Sequence, residues 1–205
     1  MGGLRERKKI KTRQAILRSA KSLFISQGYM NTTMSDIAFD CEVGVGTLYN
    51  YYKSKSKLLQ EIFRNDMPDL SNQIEEIERN EGWSLQEKLH HLISLSMRVF
   101  HQFPRSFYRE LIGVVFSDKE NGSDVFARML DIDKQFMALI IDMMNREKAS
   151  GHLPDSYPVD TSVNLMYSIL VSQMMMYLFD DRVSEEQTLS NILDQIHFLL
   201  EHPKS

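Results

Sequence analysis

Cysteine is all but missing from this 205-residue chain: Cys41 stands alone, so no intramolecular disulfide can form and packing must hold the fold, which suits a reducing cytosol. A long hydrophobic run is missing as well. The most apolar stretch, 165–179, is broken by Ser168, Ser172 and Gln173 and falls short of the roughly 20 apolar residues that cross a bilayer. The basic start, Met1 to Lys9, leads into an amphipathic pattern instead of an apolar core of roughly 7–15 residues, so no signal peptide is expected. The expected location is cytoplasmic. No segment alternates apolar and polar residues between turn signals, which argues against strands, and neither an internal repeat nor a low-complexity tract is present.

What is there is an ordinary globular composition, 42% hydrophobic and 25% charged, which excludes disorder throughout. The net charge of −4 hides a sharp asymmetry. Residues 1–64 carry 12 Lys/Arg against 5 Asp/Glu, a net of +7, and residues 65–205 carry 12 against 23, a net of −11. A basic module that precedes an acidic body suggests that the first part meets a polyanion, most often nucleic acid; a solvated charged face is the plainer reading.

Apolar spacings of three, four and seven residues predict an all-α fold of about nine helices. Ile10, Leu17, Ala20, Leu23 and Phe24 mark a first helix from about Arg5 to Gln27, closed by Gly28 in the left-handed position. Thr33-Met34-Ser35-Asp36 resembles a capping box for a short second helix to about Cys41, and a third runs from Gly44 or Val45 to about Tyr52. A fourth opens near Lys55 and meets Pro68, where a kink makes a candidate hinge. Further helices are expected from Ser84 to about Gln102, from Pro104 to about Phe116, from Asp124 to Ala149, from Asp160 to Asp180 and from Glu185 to Glu201. Asn121-Gly122 and 151–158 are the expected turn and loop, and Ser184-Glu185-Glu186-Gln187 is another expected capping box.

Two short helices and a tight turn in a basic region are what a helix-turn-helix reader needs, one helix bracing on the backbone while the next enters the major groove. The run Gly44-Val45-Gly46-Thr47-Leu48-Tyr49-Asn50-Tyr51-Tyr52 joins two glycines, which permit close approach, to a hydroxyl, an amide and three phenols that can donate to phosphates or base edges. With Thr32 to Ala38, Val43 to Lys55, Ile16-Leu17, Leu23-Phe24 and Gly28-Tyr29 in register, the chain resembles the TetR (tetracycline repressor) family of bacterial transcription regulators over about Arg13 to Leu59. The resemblance implies a helix-turn-helix DNA-binding domain at 1–54 and an effector-binding and dimerisation domain at 55–205. It implies DNA contacts from Thr33, Val45, Gly46, Thr47, Tyr49, Asn50, Tyr51 and Lys55, with Leu48, Ile37, Ala38, Val43 and Tyr52 holding the small domain together. Two positions depart from the family. Glu42 stands where glycine is usual, so either it takes the left-handed conformation at roughly 1 kcal/mol or the turn differs. Gly44 stands where serine or threonine often caps. The leading Arg5, Arg7, Lys8, Lys9, Lys11 and Arg13 could form an arm on the groove or backbone, or a solvated tail.

The body is expected to pair two such domains, so that a homodimer reads a palindromic operator in double-stranded DNA. Val163, Tyr167, Leu170, Val171, Met174 and Leu178, with Leu189, Ile192, Leu193, Ile196 and Leu200, are stripes that could either close a four-helix dimer interface, as the resemblance implies, or be buried within one subunit. Phe103, Phe107, Phe136, Met137, Met174 and Met175 are candidate walls of an adaptable apolar effector pocket. The expected function is therefore a sequence-specific transcriptional repressor released by a small hydrophobic effector. Two rivals remain: a non-specific DNA-binding protein, and a helical di-iron protein using Glu87 with His90 and Asp194 with His197, whose Glu-x-x-His spacing suits carboxylate-bridged sites. No catalytic set is assigned, the chain is not expected to be an enzyme, and no motif calls for a cofactor or a metal.

Overall fold

The computed structural model describes residues 3–66, 69–117 and 122–201, with some side chains between 101 and 129 left out. Ten α-helices and one 3₁₀ turn account for the described secondary structure, without a strand among the described residues. The chain divides into two packing units, Met1–Pro68 with Gln102–Phe126 and Asp69–His101 with Ala127–Ser205.

In the first unit, α1 (Gly3–Gln27), α2 (Met34–Asp40), α3 (Val45–Tyr51) and α4 (Lys55–Asp66) close around Ile16, Phe24, Ile37, Leu48, Leu58 and Leu59, each essentially buried. Gly28 ends α1 at φ +90°, as expected of the left-handed closing residue. Thr33 caps α2, and both arms of its box with Asp36 are made. The same unit holds α7 (Arg105–Ser117). There Phe103 stacks on Phe107 with ring centroids 4.2 Å apart, and Phe63 lies 5.9 Å from Phe103.

The second unit comprises α5 (Ser71–Arg79), α6 (Leu85–Val99), most of α8 (Gly122–Ala149), α9 (Val159–Phe179) and α10 (Glu185–Glu201). The Ser84–Glu87 box opens α6, and Gly151 closes α8 at φ +79°. Ser184 Oγ accepts from Gln187 N at 3.0 Å, and the Gln187 amide donates onward to Asn191. The short α5 has no counterpart in the expected nine helices. Its backbone amide at Ser71 is held by Asp69 Oδ1 at 3.0 Å, and it turns Ile77 into the core. The expected kink at Pro68 and the turn at Asn121 lie outside the described residues.

The body's stripes need a correction. Val163, Met174, Leu178, Ile192, Ile196 and Leu200 are buried within the single chain, packing α9 and α10 into the core with α6 and α8. Of the α9 stripe Val171 does face outward, and beside it α9 exposes Leu165, Met175, Met176 and Phe179, with Phe198 from α10. By length and apolarity α9 also meets the requirement for crossing a bilayer that the shorter 165–179 stretch was expected to miss. A helix apolar on every side carries no periodic signal for choosing its buried face.

Candidate nucleic-acid interface and effector cleft

The α2–α3 turn is built from backbone bonds. Glu42 N donates to Phe39 O at 3.1 Å and Val43 N to Ala38 O at 2.9 Å, the paired bonds that close a helix when the residue after its C-cap is left-handed. Glu42 takes that conformation, with φ +54°. The turn thus keeps its geometry with a non-glycine residue, and the strain is the cost. Gly44 starts α3 from an extended conformation without a side-chain cap.

One residue anchors α3. Leu48 is fully buried, while Val45, Gly46, Thr47, Tyr49 and Asn50 are exposed and Tyr51 is half-buried. With one apolar contact per turn facing inward, the remaining face of a seven-residue helix is left as an open ridge. No acidic side chain lies on it. Tyr52 closes the domain from behind: its hydroxyl accepts from Arg13 Nε at 3.1 Å, and Arg13 also donates to Glu61 at 2.6 Å. Burial pushes the Tyr52 phenol above its ordinary value, and Arg13 opposes the shift. Arg13 is therefore engaged with Tyr52 and Glu61 while still exposed, and residues 5–11 also lie on α1 as exposed helix positions, Arg5, Arg7, Lys8, Lys9 and Lys11 among them.

Two further residues shape the α1–α2 turn. Lys55 Nζ donates to Tyr29 O at 2.6 Å and Met30 O at 3.3 Å, and lies 4.5 Å from the Tyr29 ring centroid. Burial lowers its pKa, with Glu110 and Asp36 opposing. From α7, Glu110 Oε2 accepts from Met30 N at 3.2 Å. A Cβ on Gly28 would meet Glu110 Oε1 at 2.6 Å, which the end of a flexible side chain can relieve by moving, so it is the left-handed φ that calls for glycine. No sequence signal marked Glu110 for this role, because the contact spans 80 residues of chain. At the head of α2, Thr33 is exposed; its hydroxyl accepts from Asp36 N at 3.1 Å and donates to Asp36 Oδ2 at 2.7 Å. These bonds hold the Asp36 carboxyl below its ordinary value.

The second unit contains a narrow apolar cleft of about 10 Å³, partly open to solvent, between α6, α8, α9 and α10; it has room for about one water, so a larger guest must push its walls apart. Leu89, Ile93, Phe136, Met137, Val163 and Tyr167 are among its walls. Of the six expected pocket residues, Phe136 and Met137 lie here. Met174 is buried in the adjoining core and Met175 is exposed, while Phe103 and Phe107 belong to the aromatic cluster of the first unit. Tyr167 is the polar point of the cleft: its hydroxyl donates to Asp133 Oδ2 at 2.6 Å. Burial raises the Asp133 carboxyl, with the Tyr167 bond opposing, and raises the Tyr167 phenol, with Asp133 adding to the shift.

The di-iron reading is not supported by the arrangement. Glu87, His90, Asp194 and His197 are all exposed; Glu87 is engaged in the Ser84 cap and His197 Nε2 lies 3.0 Å from Glu201. Among the described residues no three His, Cys, Asp or Glu side chains gather as metal ligands would.

Comparison with known proteins gives the same reading. The profile described as bacterial regulatory proteins, tetR family, matches residues 16–62, from the middle of α1 into α4. The chain is 26% identical over 135 residues to the HTH-type transcriptional regulator SAB2452 of Staphylococcus aureus, across 58% of this chain and 73% of that protein. It is 29% identical over 181 residues to the probable HTH-type transcriptional regulator YttP of Bacillus subtilis, across 86% and 82%. The solved structure of Thermus thermophilus FadR, a TetR-family transcriptional repressor in complex with lauroyl-CoA, shares the fold with a TM-score of 0.63 and 19% identity, over 94% of this chain and 95% of that one. A buried Leu48 under an exposed α3 ridge, the matched profile and the shared all-helical fold agree: over residues 16–62 this chain matches the TetR family of bacterial transcriptional regulators.

Proposed function

We propose that this protein is a cytoplasmic, homodimeric repressor that reads a palindromic operator with α3 and leaves it when a small apolar molecule enters the cleft. The observation that carries the reading is the exposed ridge of Val45, Gly46, Thr47, Tyr49 and Asn50 over a buried Leu48. In this reading Thr47, Tyr49 and Asn50 meet base edges, Val45 and Gly46 allow close approach, and Thr33 and Tyr51 meet phosphates. Lys55 contributes by fixing the turn before α2, since its ammonium already serves two carbonyls. Residues 1–54 are the DNA-binding domain and 55–205 the effector and dimerisation domain. The outward apolar face of α9, with Phe198, suits a two-fold interface with the same helices of a second copy.

Selection of bound fragments from random duplex DNA tests this reading. A palindromic motif is expected. Tyr49→Ala and Thr47→Ala should relax base preference, each lost base contact costing about 1–3 kcal/mol of discrimination. Enrichment without any motif would instead favour a non-specific DNA-binding protein.

A further inference from the structure

The chemistry at the cleft's polar point limits what can enter. Among the described residues its walls contain no Lys, Arg or His. The Tyr167 hydroxyl is committed to Asp133 Oδ2 at 2.6 Å, and Asp133 is half-buried. Asp133 is not itself a wall residue; it lies behind the Tyr167 hydroxyl, three and four positions before the wall residues Phe136 and Met137 on the same face of α8. The neighbouring Asp131 and Lys134 are exposed, where water and salt mute their fields.

A carboxylate offers about four lone-pair positions over its two oxygens, and Tyr167 occupies one. An apolar ligand carrying an anionic head would bring like charge beside Asp133, with no cation among the described wall residues to compensate. A ligand carrying an ammonium would meet a carboxylate that can accept its protons, and the aromatic rings of Phe136 and Tyr167 offer faces that attract a cation. We infer that the cleft selects an amphiphile with an aliphatic or aromatic body and a cationic, hydrogen-bond-donating head, in preference to fatty acids or acyl thioesters of the same length. This inference rests on the cleft being the effector site.

Titration calorimetry on the full-length protein tests it with three probes of equal length, decylammonium, decanol and decanoate, each below its micelle concentration. Decylammonium should bind about tenfold tighter than decanol, the change that corresponds to one decade in Kd, and decanoate should bind most weakly. Asp133→Asn should abolish the preference for decylammonium while leaving decanol unchanged. If that variant melts early, Asp133→Ser takes its place. Met137→Trp, which fills the cleft, should weaken all three. Decanoate binding as tightly as decylammonium would overturn the inference. So would a preference that survives loss of the Asp133 carboxylate, or decylammonium binding that ignores Met137→Trp and so resides on the acidic surface. If decanol binds and is lost in Met137→Trp while no head group is preferred, the cleft reading stands and the charge inference fails. If none of the three binds, both fail.

Discussion

Replacing Glu42 with glycine should stabilise the protein, although it deletes a side chain and lengthens none. Glu42 sits at φ +54°, where a residue with a Cβ is strained by roughly 1–2 kcal/mol. Glycine removes that strain but recovers conformational freedom in the unfolded chain, which takes back about 0.5–1 kcal/mol. The net gain is about 0.5–1 kcal/mol. For a chain of this length such a change raises Tm by about 1–4 °C, and urea titration should show a higher midpoint at unchanged slope. Glu42→Ala is the informative control, because it removes the same charge and side chain yet keeps the strained backbone; it should fall below Glu42→Gly by about the same margin. Glu42 is exposed beside α3, so Glu42→Gln and Glu42→Gly should both tighten duplex binding at low salt by removing a carboxylate near phosphates, with the gain fading as salt rises. An alanine variant as stable as the glycine variant would refute the backbone argument. A glycine variant less stable than wild type would refute it more directly.

Gly28→Ala should cost about 1–2 kcal/mol through the left-handed φ of +90°, with the movable Glu110 carboxylate adding little. Adding Glu110→Ala should recover only the steric share, as a double-mutant cycle on urea midpoints would read. Leu48→Ala should destabilise the first unit by about 2–5 kcal/mol through the cavity it leaves, visible as an early melting phase. The Thr33–Asp36 cap has a carboxyl whose folded pKa lies below its ordinary 3.8; its stabilisation is therefore full above that value and is lost as pH falls through the folded one, and Asp36→Asn should flatten that acid limb in pH-dependent melting. Met176→Glu with Phe179→Glu, at residues 52% and 56% exposed, should yield monomers by light scattering and weaken operator binding by far more than either effector-cleft variant.

How much of this was legible in the sequence depended on whether the deciding contact was local. The Thr33 and Ser84 caps, the Gly28 and Gly151 ends and the α3 ridge are set within one or two turns of chain, and their residue types declare them. Glu42 was legible as a choice between strain and a changed turn, and the paired bonds from Glu42 and Val43 decide for strain. The short α5 carries only Ile74 and Ile77 on its inner side and has Leu70, which cannot cap, at its N-cap position, too little pattern to distinguish it from a loop. The α9 stripe could be read either as a dimer interface or as the chain's own core because apolar residues surround that helix; most of it is core, and Val171 faces outward. Phe103 and Phe107 were placed with the cleft on composition alone, yet they pack beside Phe63, which only the tertiary fold could specify.

The locked junction between α2 and α3 has a consequence for how the reading head can respond. With Glu42 and Val43 amides both spent on α2 carbonyls and Leu48 sunk beneath the ridge, the two short rods travel as a single rigid piece. Release from an operator then has to come from carrying that piece elsewhere, without melting or rewinding it. Induced and uninduced protein should accordingly give superimposable far-ultraviolet spectra while differing in the distance between labels placed on the two copies' Asn50 positions.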